Sequence, residues 1–81
     1  MYTYRTRGTC SSAIQFDING NRITDCRFIG GCAGNTQGVA ALVRGMHVDE
    51  AISRLKGIQC RGGTSCPDQL ARALEQWKAQ N

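Results

Sequence analysis

The sequence of 81 residues has little proline, histidine or aromatic content: one proline, one histidine, one tryptophan, two tyrosines and two phenylalanines. It contains no serine–histidine, paired-carboxylate or phosphate-loop arrangement, which argues against ordinary hydrolase or kinase chemistry. We therefore predict no catalytic residue of these kinds. Whether the chain acts in an enzymatic reaction stays open.

Long hydrophobic segments are also missing. The longest apolar run covers residues 39–43, far short of the roughly 20 residues that a membrane helix needs. Residues 1–7 lack the apolar core of a secretory signal, so we expect a cytoplasmic protein without a membrane partner. We predict one domain over residues 1–81, and a domain this small is often stabilised further by disulfides or a bound metal.

Cysteine is abundant for a chain of this length, with five among 81 residues. An odd number in a reducing compartment disfavours a disulfide framework and favours metal binding or thiol chemistry. The formal net charge of +4 is spread along the chain and interrupted by acidic residues, which disfavours a nucleic-acid partner. An anionic site made of several thiolates would balance part of this charge.

Alternating apolar and polar residues predict three strands, over Tyr2–Thr6, Ser12–Ile18 and Arg22–Ile29. Asn19-Gly20-Asn21 tolerates positive φ and predicts a hairpin with a three-residue turn. This register places Cys26 opposite Ile14 on the core face, whereas a two-residue turn is expected to turn Cys26 outward.

Apolar residues at helical spacing predict three helices after the strands. Their expected inward faces are Val39, Leu42, Val43 and Met46 in the first, Val48, Ala51, Ile52 and Leu55 in the second, and Leu70, Ala73, Leu74 and Trp77 in the third. Asn35 or Thr36 is the expected first cap, Gly57 ends the second helix, and Ser65 and Asp68 begin the third. The predicted fold is α+β, a three-stranded antiparallel sheet followed by three helices packed on one face.

Four cysteines fall at the ends of these elements, where a side chain can leave the core and reach a shared point. Cys10 precedes the second strand, Cys32 precedes the first helix, Cys60 follows the second helix and Cys66 opens the third. Helix N-termini stabilise thiolates. We predict that these four cysteines are the ligands of one metal site, which suits tetrahedral zinc and an iron–sulfur cluster equally.

Other interpretations of these residues stay open. The four cysteines include no tight C-x-x-C pair, so they could be inert thiols, or Cys60 and Cys66 could form a redox pair. Cys26, in the middle of a strand, is predicted to be a small buried hydrophobic residue. His47 is predicted to face solvent and not to bind metal.

The sequence Thr64-Ser65-Cys66-Pro67-Asp68 resembles the signature of the TSCPD-domain family, together with Gly8–Ser12, Gly30-Gly31-Cys32, Gly34-Asn35 and Gln37-Gly38. The resemblance covers nearly the whole chain and implies a small stand-alone version of a domain that is also attached to vitamin-B12-dependent ribonucleotide reductases. It therefore implies an alternative function, an accessory domain of ribonucleoside-diphosphate reductase that binds nucleotides or passes electrons through thiols in DNA precursor synthesis. A reductase partner is implied, although 81 residues cannot form the reductase barrel itself.

The order of elements is also similar to that of NifU-like iron–sulfur scaffold proteins, and implies a NifU/IscU-like fold and iron–sulfur assembly proteins as partners. The three scaffold cysteines fall on Cys10, Cys32 and Cys66 in this sequence. Ser12 and Ser65 stand where the scaffolds have aspartate and commonly histidine, and Cys60 is an additional thiol. These departures favour a site that holds its metal more permanently over one that hands on a cluster.

Overall fold

Three strands and then three helices follow one another in the computed structural model, which describes residues 2–9, 11–30, 33–58 and 65–80. The elements are β1 (Tyr2–Arg5), β2 (Ser11–Asn19), β3 (Arg22–Gly30), α1 (Ala33–Val43), α2 (Val48–Leu55) and α3 (Cys66–Gln80). The strands form one antiparallel sheet in the order β1-β2-β3. The predicted α+β class and element order are confirmed. No helix within the described ranges has the length and apolar character needed to cross a bilayer.

The turn between β2 and β3 is tighter than predicted. Asn19 pairs with Arg22, so the turn consists of Gly20 and Asn21 alone. Gly20 has a φ of 65°, the left-handed conformation that two-residue hairpin turns use and that glycine adopts without steric cost. The predicted three-residue turn is therefore wrong.

Cys26 nevertheless faces the core, because a β-bulge follows the turn. β3 contains one extra residue, Thr24, where the pairing partner shifts between residues 17 and 18 of β2. An extra residue reverses the side-chain alternation beyond it, so Ile23 before the bulge and Cys26 after it are both buried, at 1% and 0% exposure. Cys26 pairs with Phe16 and not with the predicted Ile14.

The first helix begins earlier than predicted, and one of its four predicted inward residues faces solvent. It starts at Ala33, before the expected caps Asn35 and Thr36. Its buried side chains are spaced three or four residues apart: Thr36, Ala40 and Val43. Of the predicted inward residues, Val43 is buried and Val39 and Met46 pack against the core, whereas Leu42 is 75% exposed.

The second helix agrees with its prediction. Val48 and Ala51 are buried, and Gly57, one residue beyond the C-cap, has the positive φ of 87° that ends many helices. His47 caps the N-terminus, where its Nδ1 accepts a hydrogen bond of 3.1 Å from the backbone N–H of Asp49. The His47 side chain is 40% exposed, which confirms the predicted solvent-facing position.

The core lies between the inner face of the sheet and the helices. On α3 the predicted inward residues Leu70, Ala73 and Leu74 are all at most 2% exposed. They belong to one cluster with residues from β2, β3, α1 and α2: Ile14, Phe16, Ile23, Cys26, Ala40, Val43, Val48 and Ala51. Trp77 packs at the margin of this cluster, with its ring 6.4 Å from that of Tyr2 in an edge-on arrangement.

Candidate metal site at the start of α3

One of the four predicted ligands, Cys66, lies in the described part of the chain. The other three, Cys10, Cys32 and Cys60, lie outside the described residues. The described residues contain no group of three or more histidine, cysteine, aspartate or glutamate side chains close enough to hold a metal. Because three predicted ligands are not among these residues, the four-cysteine site stays a prediction.

Cys66 is the first residue of α3 and is 5% exposed. Ser65 precedes it as the N-cap, since its Oγ accepts a 3.1 Å hydrogen bond from the backbone N–H of Asp68. Pro67 occupies the first turn, where the missing N–H costs nothing. The sulfur therefore sits at the positive end of a 15-residue helix, whose dipole favours a thiolate, whereas the burial of the side chain opposes ionisation.

A serine hydroxyl from the sheet contacts this thiol directly. Ser11, the first residue of β2, places its Oγ 3.2 Å from the Cys66 Sγ, and both side chains are buried. The two residues are 55 positions apart in the chain. A hydroxyl at this distance can donate a hydrogen bond to a thiolate and so adjust its basicity as a ligand.

The loop between β1 and β2 is attached to the same helical turn at a second point. The backbone N–H of Arg7 donates a 3.0 Å hydrogen bond to Oε1 of Gln69, whose side chain is only 2% exposed. Thr9 Oγ1 lies 3.1 Å from Ser11 Oγ, so Arg7 and Thr9 are each held by a hydrogen bond.

The segment after α2 is also held against the start of α3. Ser65 Oγ donates a 2.6 Å hydrogen bond to the carbonyl oxygen of Ile58. The backbone N–H of Gly57 donates a 2.7 Å hydrogen bond to Oδ1 of Asp68. Asp68 is 3% exposed and its Oδ2 lies 3.0 Å from Nε of Arg72, so this buried carboxylate is paired as burial requires.

Cys26 has no place in this site. It lies in the core at 0% exposure, and burial raises the pKa of its thiol to about 12, with Arg44 lowering it by a smaller amount. A thiol that stays protonated at neutral pH is a poor metal ligand. The prediction that Cys26 is a buried hydrophobic residue is confirmed.

Sequence reasoning missed two residues next to Cys66. The sequence includes Ser11 only as part of the family motif and contains no local signal for Gln69. Both are buried polar side chains, but their burial depends on the packing of α3 against the β1–β2 loop. Ser65 and Asp68 were identified as caps from the spacing, although their bonds to the segment after α2 were not foreseen.

The model of the TSCPD domain family matches residues 2–78, which is almost the entire chain. No curated protein and no solved structure matches the chain significantly. The resemblance to NifU-like scaffold proteins is not confirmed by these comparisons and stays a prediction.

Proposed function

Because the chain belongs to the TSCPD-domain family, whose signature cysteine is Cys66, we propose that it is a small metal-binding domain. Its ligands are the thiolates of Cys10, Cys32, Cys60 and Cys66, and the metal is zinc or an iron–sulfur cluster. A reducing compartment such as the cytoplasm keeps these thiols available as ligands.

The proposal rests on the hydrogen bonds that join other segments of the chain to the start of α3. Ser11 is adjacent in sequence to Cys10, and its hydroxyl contacts the Cys66 sulfur. Ser11 also pairs with Gly30 across the sheet, and Gly30 precedes Cys32 by two residues. On the other side Ser65, adjacent to Cys66, binds the carbonyl of Ile58, two residues before Cys60.

Few residues separate each of the other three cysteines from a described contact near Cys66, which allows all four thiols to bind one metal. Two residues of extended chain span at most about 7 Å. Each of the three undescribed cysteines is within one or two residues of Ser11, Gly30 or Ile58, which are linked directly or through a neighbour to Cys66. Thiolates bound to one zinc at about 2.3 Å are about 3.8 Å apart.

Cys66 itself has the chemistry that a ligand requires. Its sulfur lies at a helix N-terminus, a metal ion that binds a thiol deprotonates it, and Ser11 Oγ is close enough to donate a hydrogen bond to the bound thiolate. A zinc ion bound here would cross-link the sheet to the helices, and a cluster would in addition provide an electron-transfer centre. The chain's own residues orient the sulfur and exclude water from it.

Metal analysis of protein purified anaerobically, together with its visible absorption spectrum, tests the proposal. We expect stoichiometric zinc, or iron with sulfide and absorption in the visible range. Serine substitutions at Cys10, Cys32, Cys60 and Cys66 should each release metal, while Cys26→Ala serves as the matched control and should retain it. A fully folded protein without metal after anaerobic purification would contradict the proposal.

The family match also supports a second candidate function, that of a domain associated with ribonucleotide reductase. In this role the chain would bind nucleotides or pass electrons to the enzyme through Cys60 and Cys66. Assays of a vitamin-B12-dependent reductase with and without the chain distinguish the candidates. A stimulation that disappears in the Cys60→Ser and Cys66→Ser variants would support this role, and no change at any ratio would count against it.

A further inference from the structure

Within the described residues, one edge of the sheet is covered and the other is not. On β3 the backbone N–H of Ile23 donates to the carbonyl of Met46, and the carbonyl of Ile23 accepts from the N–H of Gly45. The segment before α2 therefore lies along this edge. β1 forms the opposite edge, and no described segment pairs with its outer side. A strand edge without a partner is able to bind an extended segment of another chain.

The backbone groups of Thr3 and Arg5 point away from the sheet. Just beyond β1, Thr6 donates its N–H to the carbonyl of Ser12 at 3.2 Å. Tyr4, two residues earlier, is in step with Thr6 and so bonds to β2 in the same way. The residues between them turn their N–H and C=O groups to the outer side of an antiparallel pair. Thr3 and Arg5, both exposed, thus present two donors and two acceptors along the edge.

Arg7, the next residue in this outward series, supports the assigned direction. Its backbone N–H donates to Oε1 of Gln69 on α3, on the side away from β2. A groove of about 440 Å³ lies beside the edge, and its lining consists of Thr3, Tyr4, Arg5, Arg7 and Gln76. A strand added to β1 would therefore lie between β1 and Gln76 of α3.

The charge of the groove is positive. Arg5 and Arg7 are its charged residues, and none of the described residues that line it is acidic. Neither arginine forms an ion pair with a described residue, since the ion pairs there involve other cations. Tyr4 packs against the core, so alternation places Arg5 on the outer face of β1. On that face, a directly opposite side chain of an added strand would lie about 5 Å from Arg5 between Cβ atoms.

This charge disfavours two other occupants of the edge. A second copy of the chain, paired through its own β1, would bring Arg5 and Arg7 together with the same two arginines and no carboxylate from either groove. Like charges across paired strands are destabilising. A nucleic acid would satisfy the charge, but it lacks the regularly spaced backbone N–H and C=O groups that the edge can pair with. An acidic peptide satisfies both requirements.

We propose that the free edge of β1 binds an extended acidic segment of another protein, which adds a fourth strand to the sheet. The segment forms backbone hydrogen bonds with Thr3 and Arg5, and its acidic side chains lie on the outer face beside Arg5. Backbone pairing provides affinity, and the two arginines select for an acidic sequence. The edge uses none of the proposed metal ligands, so the two sites can be tested separately.

Hydrogen exchange of the full chain with and without acetyl-Glu-Val-Glu-Val-Glu-amide, at constant metal content, tests the proposal. We expect the amide protons of Thr3 and Arg5 to exchange rapidly in the free protein and at least about tenfold more slowly with saturating peptide, because new ladder bonds protect them. The Tyr4 amide, which already bonds to β2, should change little. Binding that leaves the exchange of Thr3 and Arg5 unchanged would overturn the proposal.

Two controls separate backbone pairing from charge attraction. The same peptide methylated on every backbone nitrogen keeps its carboxylates but cannot donate hydrogen bonds, and it should not bind. Arg5→Gln should weaken binding of the unmodified peptide by about threefold, as expected for one exposed charge pair. The matched control is Arg27→Gln, which removes the same charge from an exposed residue of β3, separated from β1 by β2, and should leave the affinity nearly unchanged.

Several outcomes would contradict an acidic strand on this edge. An equal loss in Arg5→Gln and Arg27→Gln, or equally strong binding of the methylated peptide or of oligothymidylate, would indicate general charge attraction. Equally strong binding of acetyl-Lys-Val-Lys-Val-Lys-amide would show that the arginines do not select the partner. Either result would overturn the proposal.

Discussion

Replacing Asp68 by alanine should destabilise the protein far more than an exposed carboxylate would. Asp68 is 3% exposed, and its Oδ1 accepts a 2.7 Å hydrogen bond from the Gly57 N–H. A hydrogen bond to a charged group contributes about 1.5–3 kcal/mol, and removing the acceptor leaves a part-buried donor unpaired. The ion pair with Arg72, whose side chain is 53% exposed, adds at most about 1 kcal/mol. We expect Asp68→Ala to lower the free energy of unfolding by about 2–4 kcal/mol.

Urea denaturation followed by circular dichroism measures this free energy directly. In a domain of this size each kcal/mol also lowers the melting temperature by about 4–8 °C. The matched control is Glu75→Ala, which breaks an ion pair of 2.8 Å with Lys56 between largely exposed side chains and should cost no more than about 1 kcal/mol. Both variants should be compared at the same metal content. If Asp68→Ala costs no more than Glu75→Ala, the attachment of residues 57–58 to α3 does not stabilise the fold as we argue.

Two further predictions concern other parts of the fold. Burial raises the pKa of Cys26 from 9.0 to about 12, so the folded state retains the thiol proton more strongly than the unfolded state does. The stability from this group should be fully present below about pH 9 and should decrease as the pH rises toward about 12. Urea titrations at about pH 8 and about pH 10 should show a smaller loss for Cys26→Ala than for the natural sequence, and equal losses would refute this assignment. Gly38→Ala, at an exposed helical position with no atom within 4 Å of the added Cβ, should stabilise by about 0.5–1 kcal/mol. Gly57→Ala, at a φ of 87°, should destabilise by about 1 kcal/mol, and the same sign for both substitutions would contradict the assigned backbone conformations.

Local sequence signals identified the elements but not the register that joins them. Alternation in Ser11–Asn19 and the stripe on α3 each depend on residues close in sequence, so they could be recognised without the fold. The β-bulge at Thr24 depends on both strands at once. Ile23 and Cys26 are three positions apart, and an alternating pattern cannot place both inside unless an extra residue lies between them.

The candidate site, too, could be predicted only in those features that depend on residues close in sequence. Cys66 could be identified because capping and helix polarity are local properties of residues 65–68. Its contact with Ser11 spans 55 positions, and no spacing rule relates the two. The exposure of Leu42 on α1 could not be predicted for a related reason, since the residues that a helix buries depend on how it packs against the sheet, and here Ala40 is buried instead.

Most buried polar side chains in the described residues lie near the family signature. Burying a polar group costs free energy unless the group forms a hydrogen bond. Of the five buried polar side chains in the described residues, four surround the first turn of α3: Ser11, Ser65, Asp68 and Gln69. No buried side-chain nitrogen or oxygen in the described ranges lacks a hydrogen-bond partner. A helix start needs an acceptor for its free N–H groups, which the Ser65 hydroxyl provides, but it does not need the hydrogen bonds to Gly57 and Ile58. Hydrogen-bonding groups fix the direction of the chain segments they hold, which an apolar contact does not, and a site that must bring separate segments to one sulfur requires fixed directions. We therefore expect Ser65 and Asp68 to orient the segments around Cys66 as well as to start the helix.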